Sequence, residues 1–513
     1  MRRYLHIALL LITTAMIYSP SLQHAFVYDD HVTIEENRYL ENPEHLKDVL
    51  TLRTLADRHV IDGQRPMLLL TMFMDHALWG KNPAGYHATN IVLHLVCILL
   101  VYLLACRLDF TTTGSAAAAT LFAFHPALTE AVLVPSFRED LLSTLFGLMF
   151  LIASMSSRAW WLAPLPLVAA LASKESAIVW PVLIAWLWLC FPGKVSGRAR
   201  PLYVLLTSAA LAGLFLFHAF GGRPLQAADG PWNGVSLQFP ANFFEAPLLC
   251  IRYIALLVWP HPLLADRVIL PPAGMGAAHI AAWIVMPLLA GVIVVMRRRV
   301  PAVAAGAGWI LLAFVPVSNL VPLFNPMADR FAYGMAPGFV LLVTALVARA
   351  AGEGRAMHRA MLAISMAYVA LTALRTPAWK NDRTLWAVTL RDEPRSARAH
   401  VWIGLQEKSE GRLDEARAFF EKAAELNPQD VTSFINLGVM DGQAGDLESA
   451  EQKFREAIER RPDRAEGFWN LSVVLQMTGR HEEAAAMMQE TLRVDPNHAQ
   501  AKAALQPAMP GIW

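Results

Sequence analysis

Two adjacent carboxylates, Asp29 and Asp30, are the side chains in this chain best suited to chemistry. They follow the first apolar run, directly after Phe26, Val27 and Tyr28. Neighbouring carboxylates at a membrane surface repel each other and lose hydration, so they favour a bound cation or a proton. The pair is therefore a candidate for acid–base or cation-binding chemistry. The plainer alternative is a solvated helix cap.

Further polar side chains interrupt the apolar runs, and polar groups at membrane depth mark candidate functional sites. The candidates for substrate binding are Arg65, His87, Asn90, His125, Glu130 and Asp140. His87, Asn90 and His94 recur every three to four residues and therefore form one stripe on a helix. The alternative for this stripe is a ladder of hydrogen bonds between helices.

Three cations are candidates for binding a phosphate group: Arg138, Lys174 and Arg330. The planar guanidinium of Arg138 suits a phosphate held by two hydrogen bonds. Its spacing equally allows a structural ion pair with Glu139 or Asp140. Lys174 and Arg330 pose a similar choice, because a long cationic side chain can also extend to the membrane interface.

Composition and motifs exclude several classes of function. No basic run indicates nucleic-acid binding, and the formal net charge is only +1. No phosphate-binding glycine loop, nucleophile elbow or zinc-ligand spacing is present. The four cysteines lie inside apolar runs, so we interpret them as small buried hydrophobic residues.

Apolar runs of spanning length recur along most of the chain, as in polytopic membrane proteins. We predict eleven membrane helices, near residues 4–20, 86–106, 115–135, 141–157, 160–172, 175–192, 201–220, 277–296, 302–318, 331–350 and 358–375. The apolar stretch 243–260 is interpreted as an interfacial or re-entrant helix, because counting it as a span would place basic loops on both sides of the membrane.

Short basic loops then fall on one side, which predicts a cytoplasmic N-terminus in a multi-pass plasma (inner) membrane protein. Asp29, Asp30 and everything after Pro377 lie on the opposite, extracytoplasmic or periplasmic side. The residues after the first apolar run lack the small-residue pattern of a signal-peptide cleavage site, so we expect an uncleaved first helix.

Residues 397–498 repeat with a period of 34 residues. Matching positions are Pro394, Pro428, Pro462 and Pro496, then Gly411, Gly445 and Gly479, then Ala416, Ala450 and Ala484, and Phe420 and Phe454. Small residues let two antiparallel helices approach, an aromatic side chain packs between repeats, and proline ends the second helix. This is the tetratricopeptide pattern, whose concave groove suits peptides or partner proteins; the alternative is a spacer without a ligand.

The sequence therefore predicts an all-α protein in three parts. Residues 1–376 form a polytopic membrane domain of about eleven spans. Residues 377–396 form a connector with a capping helix. Residues 397–513 form an α-solenoid of three 34-residue repeats with a final capping helix.

Several short motifs follow one another in a recognisable order. They are Tyr-Asp-Asp-His-Val-Thr-Ile-Glu-Glu-Asn at 28–37, Arg-Pro at 65–66, Gly-Tyr-His-Ala-Thr-Asn at 85–90, Phe-His-Pro at 124–126, Arg-Glu-Asp-Leu-Leu at 138–142, Ser-Lys-Glu at 173–175, Pro-Val-Ser-Asn-Leu-Val-Pro at 316–322 and Asp-Arg-Phe at 329–331. With the repeats, this order resembles the transmembrane-and-tetratricopeptide O-mannosyltransferase family and its bacterial relatives, within the polytopic C-type glycosyltransferase superfamily.

The resemblance implies an inverting glycosyltransferase that uses a sugar, with mannose expected, on a polyprenyl phosphate. The acceptor is a Ser or Thr hydroxyl of an extracytoplasmic protein. Asp29 is then the general base, and Asp30 is its catalytic neighbour, which positions the acceptor or raises the basicity of Asp29. Arg138, Lys174 and Arg330 are the donor-phosphate ligands. No cofactor is certain, and a divalent cation bridging the two aspartates stays open. The alternatives are a glycan or lipid acceptor, or a non-catalytic membrane scaffold that displays its repeats.

Overall fold

The computed structural model describes residues 2–55, 57, 60–194, 199–220, 239–270, 272, 274–352 and 354–505. Within these residues every regular element is a helix and no β-strand occurs. The predicted all-α class is therefore confirmed. The chain divides into two compact units, with the boundary in one helix between Leu385 and Trp386, and residues Asp266–Val268 belong to the second unit.

The described residues of the first unit form fifteen α-helices before the boundary helix. They are α1 (Arg2–Tyr18), α2 (His45–Leu50), α3 (Pro66–Trp79), α4 (Pro83–Arg107), α5 (Thr112–Ala123), α6 (Thr129–Leu133), α7 (Arg138–Ser154), α8 (Pro164–Leu171), α9 (Val179–Cys190), α10 (Ala199–Phe220), α11 (Ala241–Val258), α12 (Ala277–Met296), α13 (Pro301–Phe314), α14 (Ala336–Ala351) and α15 (Arg355–Arg375). Short 3₁₀ turns connect several of them.

Among the described residues, five helices are long and apolar enough to cross a membrane: Leu5–Gln23, Pro83–Arg107, Ala241–Val258, Ala277–Met296 and Arg355–Trp379. Further apolar helices are shorter, at Trp160–Leu171, Glu175–Cys190, Pro201–Leu211, Pro301–Val317 and Ala336–Ala351. The count of eleven spans stays a prediction. The helix over 241–258, which we interpreted as interfacial, has the length and composition of a span.

The third predicted span, 115–135, is not one continuous helix. It consists of α5 and the segment Pro126–Leu133, which are bent by 52°. Pro126 lacks a backbone N–H and disfavours helical geometry at the preceding residue, and His125 has an extended ψ of 117°. The bend brings the polar residues His125 and Glu130 into the interior of the unit.

We expect the chain end after the repeats to lie outside the cytoplasm. The predicted odd number of spans and the basic-loop asymmetry favour that side. An alkaline phosphatase fusion after Trp513 should therefore be active, and a green fluorescent protein fused there and exported by the same route should be dark. The reverse pattern would overturn the predicted side of Asp29 and of the repeats.

The segment between α1 and α4 is packed rather than extended. Phe26, Ile34 and Leu40 share one buried apolar cluster with Leu68 of α3 and Tyr86 of α4. Phe26 and Tyr86 meet edge to face with ring centroids 5.5 Å apart. Each fully buried apolar side chain of this kind contributes about 1.5–3 kcal/mol. The segment around Asp29 is therefore anchored in a buried apolar cluster that it shares with α3 and α4.

A close contact in the middle of α7 joins this helix, whose first turn carries several of the candidate residues, to α9. Gly147 of α7 lies against the indole of Trp180 in α9, and a Cβ atom on Gly147 would be 1.9 Å from that ring. Trp180 in turn meets Trp309 of α13 edge to face at 5.8 Å. A larger residue at 147 would clash with this indole and push α7 away from α9.

The second unit begins within α16 (Asp382–Asp392) and continues with α17 (Ala397–Ser409), α18 (Leu413–Leu426), α19 (Val431–Gln443), α20 (Leu447–Arg460), α21 (Ala465–Met477), α22 (His481–Val494) and α23 (Ala499–Leu505). The predicted capping helix over 499–508 is thus described as far as Leu505. Gly411, Gly445 and Gly479 each turn the chain between paired helices with φ of 79°, 87° and 78°, a left-handed conformation that glycine adopts without strain.

The contacts in the repeats agree with the roles predicted for the small and the aromatic residues. A Cβ atom on Gly404 would be 2.9 Å from the Phe420 ring, and one on Gly438 would be 2.8 Å from the Phe454 ring. Phe420 also shares a buried cluster with Leu437 and therefore links neighbouring repeats. The small residues and the aromatic residues thus act together, as the period of 34 residues indicates.

Candidate active site

The Asp29–Asp30 pair lies in a tightly folded segment after α1. Tyr28, which directly precedes the pair, is buried and has a left-handed φ of 58°, an uncommon conformation for a residue other than glycine. Asp30 is fully buried, and its carboxylate accepts a 2.7 Å hydrogen bond from the Ser136 backbone N–H and a 3.2 Å bond from that of Val27. Asp30 therefore ties this segment to the turn that precedes α7.

The two aspartates differ in environment. Asp29 is partly exposed, whereas Asp30 is buried. Burial raises the pKa of Asp30 to about 7, the two backbone N–H donors oppose this shift, and the charge of Asp29 adds to it. Asp30 makes no capping hydrogen bond to the helical turn His31–Glu35. The alternative of a helix cap is therefore wrong for Asp30.

Arg65 lies at the centre of a carboxylate cluster in front of α7. Its guanidinium is 3.2 Å from Asp62, 3.3 Å from Glu175 and 3.6 Å from Glu139. About a quarter of its side chain is exposed. Asp29 is close enough to contribute to the pKa of Asp62, which burial raises to about 6. The base candidate and the Arg65 cluster thus belong to one electrostatic network.

Lys174 closes the inner side of this cluster. Its ammonium group is 2.6 Å from Asp140 and 3.6 Å from Glu139, and it lies 4.8 Å from the centre of the Phe331 ring. Lys174 is 6% exposed, so the alternative that its side chain extends to the membrane interface is wrong. Glu139 forms an ion pair with both Lys174 and Arg65. Its Oε2 atom is buried without a hydrogen-bond partner among the described residues.

Arg330 joins the same region from the segment before α14. Its guanidinium donates a 2.6 Å hydrogen bond to Glu130, whose carboxylate also accepts the Arg330 backbone N–H at 2.7 Å. The guanidinium lies 3.8 Å from the centre of the Phe137 ring. Its Nε atom is buried without a hydrogen-bond partner among the described residues, so one strong donor remains for a ligand.

Arg138 is placed differently from the other cations. It is fully buried and donates hydrogen bonds to Asp75 at 2.5 Å, to Asn90 at 2.7 Å and to the Tyr86 carbonyl at 3.2 Å. The alternative partners suggested by spacing, Glu139 and Asp140, are wrong. Sequence reasoning missed Asp75, although a carboxylate within the otherwise apolar α3 was a usable signal.

The polar stripe on α4 forms hydrogen bonds within the protein. Asn90 donates to the carbonyls of Val132 and Val134, at 3.3 and 3.2 Å. His94 is 2.8 Å from the Tyr333 hydroxyl and 3.1 Å from the Ala123 carbonyl. The predicted alternative, an interhelical hydrogen-bond ladder, therefore describes Asn90 and His94.

The two other histidine candidates are also enclosed. His87 is buried with its ring 6.0 Å from that of His24, in an edge-to-face arrangement. His125 is buried, and its Nε2 is 2.9 Å from the Leu257 carbonyl at the end of α11. Both rings face protein in this structure. The predicted role of His87 and His125 as substrate ligands is not tested by these contacts and stays a prediction.

The cluster around α7 carries more carboxylates than cations. Asp62, Glu130, Glu139, Asp140 and Glu175 surround Arg65, Lys174 and Arg330. Over the part of the chain that the structure describes, no three His, Cys, Asp or Glu side chains come together as a metal site. A cation that bridges Asp29, Asp30 and the donor phosphate stays a prediction.

A small cavity adjoins the cluster on the side of α9. It has a volume of about 30 Å³, and its walls include Asp140, Ser143, Thr144, Ser176, Trp180 and Phe331. A cavity of this size holds about two water molecules. A sugar ring does not fit there, whereas Asp29 and Arg65 are partly exposed.

The tetratricopeptide repeat family profiles match residues 397–430 and 443–506. The predicted repeats are therefore confirmed as a family assignment over this part of the chain.

Relatives named as enzymes match across both units. The chain is 24% identical over 439 residues to the protein O-mannosyl-transferase F38B6.6 of Caenorhabditis elegans, an alignment covering 82% of this chain and 62% of the relative. It is 30% identical over 283 residues to the protein O-mannosyl-transferase Tmtc1 of Drosophila melanogaster, covering 49% and 33%. It is 25% identical over 476 residues to the mouse protein O-mannosyl-transferase TMTC3, covering 83% and 51%.

These alignments span between a third and two thirds of the relatives' own lengths. Among solved structures, an oligosaccharyltransferase from Archaeoglobus fulgidus aligns over 86% of this chain and 57% of its own, with a TM-score of 0.29 and 14% identity; a likeness this low supports no conclusion. The sequence relationship rests on the curated relatives and on the repeats. The chain is a homologue of the TMTC protein O-mannosyl-transferases, as the order of its motifs predicts.

Proposed function

We propose that this chain is a multi-pass membrane glycosyltransferase that transfers mannose from a polyprenyl phosphate to Ser or Thr hydroxyls of extracytoplasmic proteins. The observation that carries the proposal is the partly exposed Asp29 in a folded segment whose Tyr28 packs on Phe137, the ring over which the Arg330 guanidinium lies. The names of the relatives supply the expected class of reaction.

Asp29 is the general base in this proposal. As the acceptor oxygen attacks the anomeric carbon, its proton passes to the Asp29 carboxylate and the bond from the anomeric carbon to the phosphate oxygen breaks. The electron pair leaves with the lipid phosphate, and the anomeric configuration inverts in a single displacement. General base catalysis of this kind contributes about 10²–10⁴ in rate, or roughly 3–5 kcal/mol. Asp30 acts on Asp29 by fixing its backbone rather than by touching the substrate.

Lys174 and Arg330 are the proposed ligands of the departing phosphate. Each is mostly buried next to an aromatic ring, and Arg330 retains an unbonded Nε donor among the described residues. Cations held in a site of low dielectric stabilise developing negative charge strongly. Arg138 also has a buried donor, Nη1, without a partner among the described residues. It has no exposed surface, however, and already makes three hydrogen bonds within the protein, so we assign it to the fold. Arg65, which is partly exposed, is the proposed cation for contact with the sugar.

We expect charge-conserving changes at Arg330 and Lys174 to weaken the use of the lipid donor. Arg330→Lys keeps the charge but loses the planar fork, and Lys174→Arg alters the reach of the cation. The KM for the polyprenyl-phosphate donor should rise by about tenfold, equivalent to about 1.4 kcal/mol, while the KM for the acceptor and the melting temperature in detergent change little.

Arg493→Ala provides a matched control, since Arg493 forms an exposed ion pair with Glu490 that contributes about 0–1 kcal/mol. A large fall in melting temperature with an unchanged donor KM would show instead that Arg330 and Lys174 serve only as structural ion pairs.

We propose that the repeats bind the acceptor protein or a partner protein, while transfer belongs to the first unit. Deleting residues 397–505 should therefore impair modification of a folded acceptor protein more than transfer to a short peptide, because only the former gains from the concave repeat surface. An equal loss with both acceptors would assign the repeats to the fold alone.

Comparison of glycopeptides from a deletion strain and its parent tests the function itself. The proposal predicts that Ser- and Thr-linked hexose disappears from a set of extracytoplasmic proteins and returns with the wild-type chain. A change confined to glycans or lipids would favour the alternative acceptor. No change in either pool would favour the scaffold.

A further inference from the structure

The segment that carries Asp29 is held by a residue far away in sequence. Asp382, at the first position of α16, accepts a 3.0 Å hydrogen bond from the Tyr28 backbone N–H through one carboxylate oxygen. Its other oxygen lies 2.7 Å from Nε2 of His31. The carboxylate therefore grips the chain immediately before the Asp29–Asp30 pair and immediately after it.

The grip is strengthened by neighbouring contacts. The Ala25 backbone N–H donates a 3.0 Å hydrogen bond to the Lys380 carbonyl. The other ring nitrogen of His31 is 2.6 Å from Glu35, and its hydrogen bond to Asp382 is the main reason that the pKa of His31 rises to about 9. At neutral pH the pair is thus a charged hydrogen bond, of the kind that is roughly twice as strong as a neutral one.

The backbone conformation of Tyr28 explains why this segment needs the hydrogen bonds to Asp382. Its left-handed φ of 58° is strained for an L-residue and persists only where surrounding contacts hold it. The Tyr28 ring is buried edge to face on Phe137, 5.6 Å away. The Asp382 oxygen meets the backbone N–H of this same residue. Since the Tyr28 conformation sets the direction of the chain into Asp29, the contact determines where the Asp29 carboxylate lies.

An ordinary role at a helix start does not account for Asp382. Aspartate in a first turn is favoured by the helix dipole, but the cap of α16 is made by Asn381, whose side chain accepts the Thr384 N–H at 3.0 Å. Both carboxylate oxygens of Asp382 are directed to residues 28 and 31 instead.

We propose that Asp382 is a positioning residue for the base Asp29, holding Tyr28 and His31 on either side of it in the conformation required for transfer. This inference rests on the proposed function, because it assigns the purpose of the grip to catalysis. Asp382 does not itself touch substrate in this account. It acts with Asp30, whose carboxylate accepts a hydrogen bond from the Ser136 backbone N–H and so holds the same segment.

The test combines kinetics with hydrogen exchange on the full chain in detergent. The variants are Asp382→Ala, Asp382→Asn, Asp29→Asn and the double variant Asp29→Asn with Asp382→Ala. Asp414→Ala is the control, because Asp414 is an exposed aspartate in the first turn of another helix, α18. Transfer to a peptide gives kcat and the two KM values, and exchange is followed for the peptide covering residues 24–36.

We expect Asp382→Ala to accelerate exchange over residues 24–36 and to lower kcat by up to about 10²-fold, the size of a small misplacement of a catalytic group. The donor KM should hold. Asp382→Asn, which keeps one acceptor oxygen for Tyr28, should recover part of kcat. In the Asp29→Asn background, Asp382→Ala should lower kcat little further, because the carboxylate that Asp382 positions is absent.

If Asp382→Ala leaves hydrogen exchange over residues 24–36 unchanged, Asp382 does not hold this segment in place. If Asp382→Ala lowers kcat by the same factor in the Asp29→Asn background, its effect does not act through the base Asp29. If Asp29→Asn alone transfers normally while Asp382→Ala still mobilises the segment, the proposed function fails and Asp382 is a structural anchor only. The two failures therefore give different results.

Discussion

Asp29→Asn is expected to lower the rate of sugar transfer by about 10²–10⁴-fold, the range contributed by a general base. The amide has the size of the carboxylate but cannot take the acceptor proton. The partly exposed position of Asp29 means that the change removes little buried contact. Expression, melting temperature and binding of the lipid donor should persist. Single-turnover transfer with saturating donor measures the effect.

Asp30→Asn is the matched control for this prediction. The variant retains one carbonyl oxygen for the Ser136 or Val27 N–H and loses the second acceptor. Transfer should therefore fall less than in Asp29→Asn, with a loss of stability. Near-normal transfer by Asp29→Asn would end the catalytic assignment, and a greater loss in Asp30→Asn would exchange the roles of the two residues.

Arg138→Ala is expected to destabilise the first unit by about 3–5 kcal/mol, because it leaves a buried charge without its partner. Asp75 is 3% exposed and would lose the guanidinium that lies 2.5 Å away. Asn90 and the Tyr86 carbonyl would each lose a donor. Thermal unfolding in detergent, compared with that of Arg493→Ala, measures the loss.

Removing both charges separates the two roles considered for Arg138. In Arg138→Ala with Asp75→Asn the buried carboxylate is gone, so part of the lost stability should return. If Arg138→Ala melts like the wild type while donor binding collapses, Arg138 is a phosphate ligand after all and its assignment to the fold is wrong.

The architecture could be predicted because it depends on regularities within short stretches of sequence. Glycines 411, 445 and 479 recur at a fixed period, and each occupies the left-handed turn that its position requires. Apolar runs likewise identify helices such as α4 and α12 from their own composition. Long runs with a strong pattern carry their structure locally.

The partners within the candidate site could not be predicted in the same way. Arg138 could be matched by spacing only to its neighbours Glu139 and Asp140, whereas the fold supplies Asp75 from a different helix. Lys174 and Glu139 meet only because α7 packs against the start of α9, where Gly147 admits Trp180. The grip of Asp382 on Tyr28 joins residues 354 positions apart. Such pairings depend on tertiary packing, which no periodicity in the sequence records.

The central claim, that this chain itself transfers a sugar from a polyprenyl phosphate with inversion, is tested most directly by reconstitution. The purified full chain in liposomes is given a labelled mannosyl polyprenyl phosphate of known anomeric configuration and a Ser/Thr peptide. We predict labelled peptide carrying mannose of the opposite configuration with the wild type, and almost none with Asp29→Asn. No labelled peptide from the wild type, or a product that retains the donor configuration, would contradict the account.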